Sequence, residues 1–126
     1  DILTCGGALE LKKIADIADE NGVAVAIHMA ESPVACLAAV HTAAAMHNCL
    51  ALEFHSVDVP WWADIVKGIP NPLFQNGFIK VPEKPGLGFD DINEVVIKEH
   101  INPNILGYFE STDEWNTEFS NDRIWS

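Results

Sequence analysis

The run Val23-Ala24-Val25-Ala26-Ile27, which leads into His28, decides the fold of this chain. Every residue in the run is apolar, with no alternation between apolar and polar positions. This pattern is typical of a strand that is covered on both faces, as in parallel sheets whose strands are joined by helices. We therefore predict an α/β fold built around this strand.

Two further apolar runs flank the central strand: Asp1 to Thr4 before it, and Leu50 to Phe54 after it. An amphipathic helical pattern spans Ala8 to Asn21, and an Ala-rich, almost wholly apolar one spans Pro33 to about His47. The order strand, helix, strand, helix, strand predicts parallel strands, because each helical crossover returns the chain to the same end of the sheet.

An acid–base residue accompanies each of the three predicted strands: Asp1, His28 and Glu53. The carboxyl ends of parallel strands share one edge of the sheet, and functional residues of α/β proteins collect there. We therefore predict that these three side chains converge on one site.

Composition excludes several classes of partner. The chain has 126 residues with a formal net charge of −12 and only 7 Lys and Arg residues. Nucleic acids and anionic membrane surfaces recruit basic side chains, so we expect neither as a partner. No apolar run is long enough to cross a bilayer. The absence of an initiator Met and the position of Asp1 at a strand suggest a piece of a longer chain.

The cysteines predict a reducing environment. Cys5, Cys36 and Cys49 form no CxxC pair and are odd in number. Such usage fits small buried side chains in a cytoplasmic protein better than a disulfide framework.

The second half of the chain is less regular. After the polar and aromatic loop that holds Trp61 and Trp62, the sequence predicts three short elements and a tail that packs on other parts of the protein. The tryptophan pair suits either a pocket wall or core packing. The predicted elements are a helix over 63–67, an edge strand over 77–82, a helix over Asp91–His100 capped by Asp90 or Asp91, and the acidic, aromatic tail Glu110–Ser126.

An ordered set of motifs resembles the C-terminal part of the enolase superfamily, mandelate racemase subgroup, and within it the sugar-acid dehydratases of the galactonate dehydratase type. The similarity extends from Asp1 through Gly88. The motifs are Asp1 with Gly6-Gly7, Lys13-Ile14-Ala15, His28, the Ala-rich helix, Glu53, and Gly77-Phe78-Ile79-x-Val81-Pro82-x-x-Pro85-Gly86-Leu87-Gly88.

The resemblance implies a partial (β/α) TIM-type barrel in which residues 1–59 supply the last three strands and helices with the acid–base residues. Residues 60–126 are then a C-terminal extension that returns toward the capping region. The resemblance also implies Mg²⁺ held by carboxylates on strands that lie outside this chain, a small-molecule sugar acid as substrate, and a homo-oligomer at full length. This chain alone is then expected to be inactive.

In the resembled family, an Asp–His dyad abstracts the proton next to the substrate carboxylate. Histidine is the residue type whose ordinary pKa lies near neutral pH, which suits His28 as a base, and Asp1 would fix its tautomer. Glu53 would donate a hydrogen bond to the substrate carboxylate, which requires a protonated, desolvated side chain. Glu31 and His55 lie on loops at the same edge and are weaker candidates for contacts with substrate hydroxyls.

Other interpretations stay open from the sequence. Racemisation, epimerisation and cycloisomerisation share the proton-abstraction step, and a non-catalytic partial barrel would expose its apolar helix and strand edges as interfaces. Each candidate residue also has a structural alternative. These are an exposed terminal residue without a partner for Asp1, a structural histidine at a strand end for His28, and a structural salt bridge for Glu53. The sequence does not specify which sugar acid is used.

Overall fold

The computed structural model describes residues 1–104 and divides the chain into two units, Asp1–Asn93 and Glu94–Ser126. The first unit contains helix α1 (Ala8–Glu20), strand β1 (Val25–Ile27), helix α2 (Pro33–Ala44) and strand β2 (Cys49–Leu52). A 3₁₀ helix (Trp62–Ile65) and two short strands, β3 (Val66–Lys67) and β4 (Asp91–Ile92), follow. Helix α3 (Glu94–His100) belongs to the second unit. The predicted tail Glu110–Ser126 lies outside the described residues.

Strands β1 and β2 pair in parallel, with Ala26 opposite Ala51 and Ile27 opposite Leu52. Helix α2 makes the crossover between them, as the sequence predicts. Parallel pairing brings the carboxyl ends of both strands to the same edge, where the backbone N–H of Glu53 donates to the carbonyl of Ile27 at 2.8 Å. The α/β character of the prediction is therefore confirmed.

The predicted strand over Asp1–Thr4 is wrong. These residues form a turn in which the N–H of Cys5 donates to the carbonyl of Asp1 at 3.0 Å. The carboxylate of Asp1 also accepts hydrogen bonds from the N–H groups of Leu3 and Thr4. A strand needs N–H groups that point to a neighbouring strand, and here the Asp1 side chain satisfies two of them locally.

The structure confirms both long helices. The sequence could predict them because the residues that begin and end each helix act through local contacts. Asn21 closes α1, and Gly22 after it has a positive φ of 68°. The hydroxyl of Ser32 accepts from the N–H of Ala35 at 3.4 Å and so caps α2, with Pro33 in the first turn. Helix α2 ends at Ala44 instead of His47.

The second half differs more from the prediction. Residues 63–67 form part of a 3₁₀ helix and strand β3 instead of one helix. Residues 77–82 form no named strand among the described residues and pair there only at the isolated bridge between Gln75 and Phe78. The last predicted helix begins at Glu94, because Asp91 pairs with Lys67 across the antiparallel strands β3 and β4. Asp91 accepts from the N–H of Ile92 instead of capping a helix.

Helix α2 separates two apolar clusters, which explains why it is apolar nearly all round. Ala35 and Ala39 pack in the first cluster with Ile27 and Leu11 of the neighbouring elements. The opposite face of α2 packs in the second cluster, which the segment after β2 covers with Trp62, Leu73 and other partly buried apolar side chains. The sequence leaves the neighbours of α2 unidentified, and this segment supplies them.

One of the three cysteines, Cys36, lies on the buried face of α2. Cys36 is fully buried, and burial raises the pKa of its thiol to about 12 because the charged thiolate is poorly solvated there. Cys5, Cys36 and Cys49 are all free thiols. Cys36 therefore behaves as a small apolar side chain.

The turn at residues 85–88 requires glycine at its end. Gly88 has a φ of +91°, and a Cβ atom there would lie 2.1 Å from Cβ of Pro82. Leu87 and Phe89 on either side pack against the second cluster.

Among residues 1–104, no helix combines the length and the apolar character that crossing a membrane requires.

We expect Leu37→Ala to destabilise the protein by about 2–5 kcal/mol, because Leu37 is fully buried and truncation leaves a cavity. Urea unfolding measures the change. Leu9→Ala is the matched control, since Leu9 is 71% exposed on α1, and a change of about 0.5 kcal/mol or less is expected there. Equal losses for the two variants would contradict the assignment of the core.

Candidate active site

Asp1 and His28 form a hydrogen-bonded pair at the edge where β1 ends. The distance between Oδ2 of Asp1 and Nδ1 of His28 is 3.0 Å. An ionised carboxylate can only accept, so the proton of this hydrogen bond belongs to Nδ1. In the neutral imidazole the lone pair then lies on Nε2, which is the arrangement that a general base needs.

The Asp1 carboxylate is held on two sides. Its Oδ1 atom accepts from the N–H of Leu3 at 2.7 Å and from that of Thr4 at 3.3 Å, while Oδ2 bonds to His28. The Asp1 side chain is 11% exposed and that of His28 is 50% exposed. The turn that replaces the predicted strand therefore fixes Asp1 behind an accessible imidazole.

His55 and Glu53 continue the site along the same edge. The ring centroids of His28 and His55 are 5.2 Å apart, and Nε2 of His55 lies 3.9 Å from Oε2 of Glu53. The side chains of His55 and Glu53 are 56% and 48% exposed. Asp1, His28, His55 and Glu53 thus form one continuous row of acid–base groups. The sequence predicts that these residues share an edge, but it does not predict that His55 lies between His28 and Glu53.

Glu31 approaches the other end of this row. Its Oε2 atom accepts from the N–H of Ala30 at 3.0 Å, which folds the carboxylate back toward β1. A carboxylate oxygen of Asp1, a ring nitrogen of His28 and a carboxylate oxygen of Glu31 all lie within 4.8 Å of one another. The structure therefore brings all five predicted site residues to one edge.

Among the described residues, Asp1, His28 and Glu31 form a group whose ligand atoms are close enough together to hold a metal ion. They offer two carboxylates and an imidazole whose Nδ1 atom already bonds to Asp1. Mg²⁺ prefers six oxygen ligands in near-octahedral geometry. These side chains do not fit Mg²⁺, and the placement of its ligands outside this chain stays a prediction.

Trp62 contributes to the site through a contact that the sequence does not predict. Its indole N–H donates to the backbone carbonyl of Glu31 at 2.7 Å. The ring is 6% exposed and packs edge-on against Phe54, with ring centroids 5.0 Å apart. Of the two roles considered for the tryptophan pair, Trp62 takes core packing. No sequence pattern marks this bond, because its acceptor is a backbone carbonyl, and the Trp61-Trp62 pair indicates only an aromatic cluster after Glu53.

Residues 1–94 match the family described as Enolase C-terminal domain-like. The match covers most of the chain, and the chain belongs to this family. The resemblance to the enolase superfamily is therefore confirmed.

Curated relatives extend the comparison. The chain is 47% identical over 88 residues to a D-xylonate dehydratase of Haloferax volcanii, a match that covers 70% of this chain and 21% of that protein. It is 31% identical over 104 residues to a D-galactonate dehydratase of Ralstonia pickettii, which covers 79% of this chain and 27% of that protein. The chain thus spans about a fifth to a quarter of the length of these relatives.

A solved structure of a mandelate racemase/muconate lactonizing enzyme-like protein from Rubrobacter xylanophilus is similar at a TM-score of 0.73 and 38% identity. That match covers 81% of this chain and 26% of the other. An enolase of the mandelate racemase subgroup from Agrobacterium tumefaciens is similar at a TM-score of 0.61 and 31% identity, over 75% of this chain and 25% of that chain. The chain therefore has the fold of the corresponding part of these proteins.

Proposed function

We propose that this chain is the acid–base part of a Mg²⁺-dependent acid-sugar dehydratase, a hydro-lyase that removes water from an aldonate. The contact of 3.0 Å between Asp1 and His28, at the edge that also holds Glu53, carries the proposal. The names of the relatives favour dehydration over racemisation, epimerisation and cycloisomerisation, since both are sugar-acid dehydratases.

We also propose that residues 1–59 belong to the last part of a (β/α) barrel and that residues 60–126 return toward a capping region. Within the described residues β2 pairs with β1 alone, and its other edge can accept a further neighbouring strand, which supports this placement. The share of the relatives that the chain covers, 21–27%, supports a longer protein. We further propose, from the resemblance to the family alone, that this protein is cytoplasmic and assembles as a homo-oligomer. The chain alone is inactive in this proposal.

In the proposed reaction His28 is the general base. Its Nε2 atom takes the proton from C2 of the aldonate, while Asp1 keeps the Nδ1 proton in place and stabilises the imidazolium that forms. Removing this proton puts negative charge on the substrate carboxylate as an enediolate. A neutral Glu53 would donate a hydrogen bond to that carboxylate, and Glu31 and His55 would contact the sugar hydroxyls.

The proposal leaves three parts to other residues. The C3 hydroxyl leaves from the enediolate as water, with a proton from an acid that lies outside this chain, and the enol that results tautomerises to the 2-keto-3-deoxy acid. The Glu53 side chain is 48% exposed in this chain, so substrate or residues outside the chain must supply the burial that favours a neutral carboxylic acid. The Mg²⁺ ligands likewise lie elsewhere, since Asp1, His28 and Glu31 do not suit that ion.

The test is to incubate the natural protein that contains this sequence with Mg²⁺ and single aldonates, beginning with D-xylonate and D-galactonate. We expect a 2-keto-3-deoxy acid, which ¹H NMR detects through its C3 methylene protons. Formation of a C2 epimer without any keto acid would contradict dehydration, and unchanged samples of every aldonate would contradict the whole proposal.

A further inference from the structure

Three consecutive backbone carbonyls that follow His28 accept hydrogen bonds from the segment that follows Glu53. The carbonyl of Met29 accepts from the N–H of His55 at 3.2 Å, and that of Ala30 accepts from the hydroxyl of Ser56 at 3.4 Å. The carbonyl of Glu31 accepts from the indole of Trp62 at 2.7 Å. This row of bonds joins the two loops that carry the site residues beyond the ends of β1 and β2.

Of these three donors, Trp62 forms the shortest bond and is the best anchored. Its side chain is 6% exposed, and its ring lies 5.0 Å from Phe54 and 6.2 Å from Phe74, measured between centroids. Phe54 directly follows Glu53. An indole nitrogen can only donate, so the bond to Glu31 is specific in direction. Trp62 thus contacts the loop of His28 with one atom and the neighbour of Glu53 with its ring.

The bond matters for the site because Glu31 carries both the carbonyl that Trp62 holds and a carboxylate near the dyad. That carboxylate accepts from the N–H of Ala30 at 3.0 Å. It also lies within 4.8 Å of a carboxylate oxygen of Asp1 and a ring nitrogen of His28. A backbone that is fixed at Glu31 limits where the side chain can reach. Loss of the indole N–H would free the carbonyl and let the carboxylate move away from His28.

We propose that Trp62 is a positioning residue that acts through Glu31: its indole N–H fixes the backbone of Glu31 so that the carboxylate lies beside the Asp1–His28 pair. The effect on catalysis rests on the function proposed above, whereas the effect on the geometry of His28 does not.

The key variant is Trp62→Phe, which keeps an aromatic ring among Phe54 and Phe74 but removes the donor. We expect KM for the aldonate to rise about three- to tenfold, the factor that one neutral hydrogen bond is worth, with a smaller change in kcat. Phe74→Leu is the packing control, because it loosens the same aromatic cluster without removing the bond to Glu31. A KM for Phe74→Leu that rises as much as that for Trp62→Phe would overturn the proposal.

A double-mutant cycle with Glu31→Gln separates positioning from general packing. If Trp62 acts through Glu31, Trp62→Phe changes KM in the wild-type background and adds little in the Glu31→Gln background. Equal effects in both backgrounds would overturn the proposal, since a packing role does not depend on the Glu31 carboxylate.

NMR of the imidazole groups provides a second readout that needs no activity. The His28 signals are assigned by their absence in His28→Asn, and we expect Trp62→Phe to shift them in the wild-type background but not with Glu31→Gln. In the unmodified protein we expect the Trp62 indole proton to exchange slowly with solvent. Unchanged His28 signals in Trp62→Phe, or a rapidly exchanging indole proton, would overturn the proposal even if the protein dehydrates aldonates. Shifted signals without dehydration would overturn the proposed function alone.

Discussion

Replacing His28 by Asn is expected to lower the rate of aldonate dehydration by about 10⁴-fold, the upper range of what a positioned general base contributes. Asn cannot accept a proton from carbon, whereas the imidazole offers the Nε2 lone pair while Asp1 holds Nδ1 at 3.0 Å. The half-exposed ring makes no large contribution to the core, so folding should survive the change. The initial rate of keto-acid formation measures the effect.

His47→Asn is the matched control for this substitution. His47 lies before β2, its side chain is 93% exposed, and its Nδ1 atom lies 3.8 Å from Oδ2 of Asp19 in α1. We expect this variant to retain the wild-type rate. A fast His28→Asn variant would show that another residue removes the C2 proton, and the assignment of the base would fail.

Asp1→Asn is expected to lower kcat by a similar factor, about 10⁴-fold, while leaving the fold intact. The reason is the fixed orientation of the Asp1 side chain. Its Oδ1 atom accepts from the N–H groups of Leu3 and Thr4, and after the substitution only the oxygen of the new side-chain amide can keep these bonds. The NH₂ group of that amide then faces Nδ1 of His28, which must offer a lone pair, so the ring proton moves to Nε2 and the base is lost.

Two measurements check this account of Asp1. The kcat value gives the loss of activity, and ¹⁵N shifts of the His28 ring report which nitrogen carries the proton. Asp16→Asn is the control, since Asp16 is exposed on the surface of α1 and forms an ion pair with Lys12 there. An unchanged tautomer with full activity in Asp1→Asn would contradict the role of the carboxylate.

The two long helices and the parallel pair follow from local sequence signals. Asn21 with Gly22, and Ser32 with Pro33, mark helix ends through hydrogen bonds and backbone conformations within a few residues. The continuous apolar run before His28 predicts a strand, which β1 confirms. The predicted cover on both faces is wrong within the described residues, because Ile27 is buried but Val25 is half-buried and Ala26 is exposed. These signals need no knowledge of distant partners.

The errors in the second half of the chain concern elements whose structure depends on distant residues, whereas the wrong strand over Asp1–Thr4 is a local turn that the Asp1 side chain stabilises. Asp91 belongs to β4 because Lys67 lies opposite, and its sequence resembles a helix start equally well. The segment over 77–82 has an apolar pattern, but within the described residues it pairs only at the bridge between Gln75 and Phe78. Pairing is a property of two segments, so the pattern of one segment does not determine it.

The sequence likewise predicts one part of the candidate site and leaves another part undetermined. Strand order predicts that Asp1, His28 and Glu53 lie at one edge, whereas their distances depend on the turn that the Asp1 carboxylate itself stabilises. The bond from Trp62 to the carbonyl of Glu31 spans 31 positions and uses a backbone acceptor that every residue has. Such a contact leaves no pattern in the sequence.

The fate of deuterium from C2 of the substrate tests the central claim most directly. The protein is supplied with [2-²H]aldonate and Mg²⁺ in ordinary water, and ²H NMR follows the label. Abstraction by the half-exposed His28 predicts that the label enters the solvent as product forms, and that neither process occurs in His28→Asn. Loss of the deuterium from C2 in His28→Asn at the wild-type rate, whether the label then enters the solvent or C3 of the keto acid, would contradict proton abstraction by this dyad.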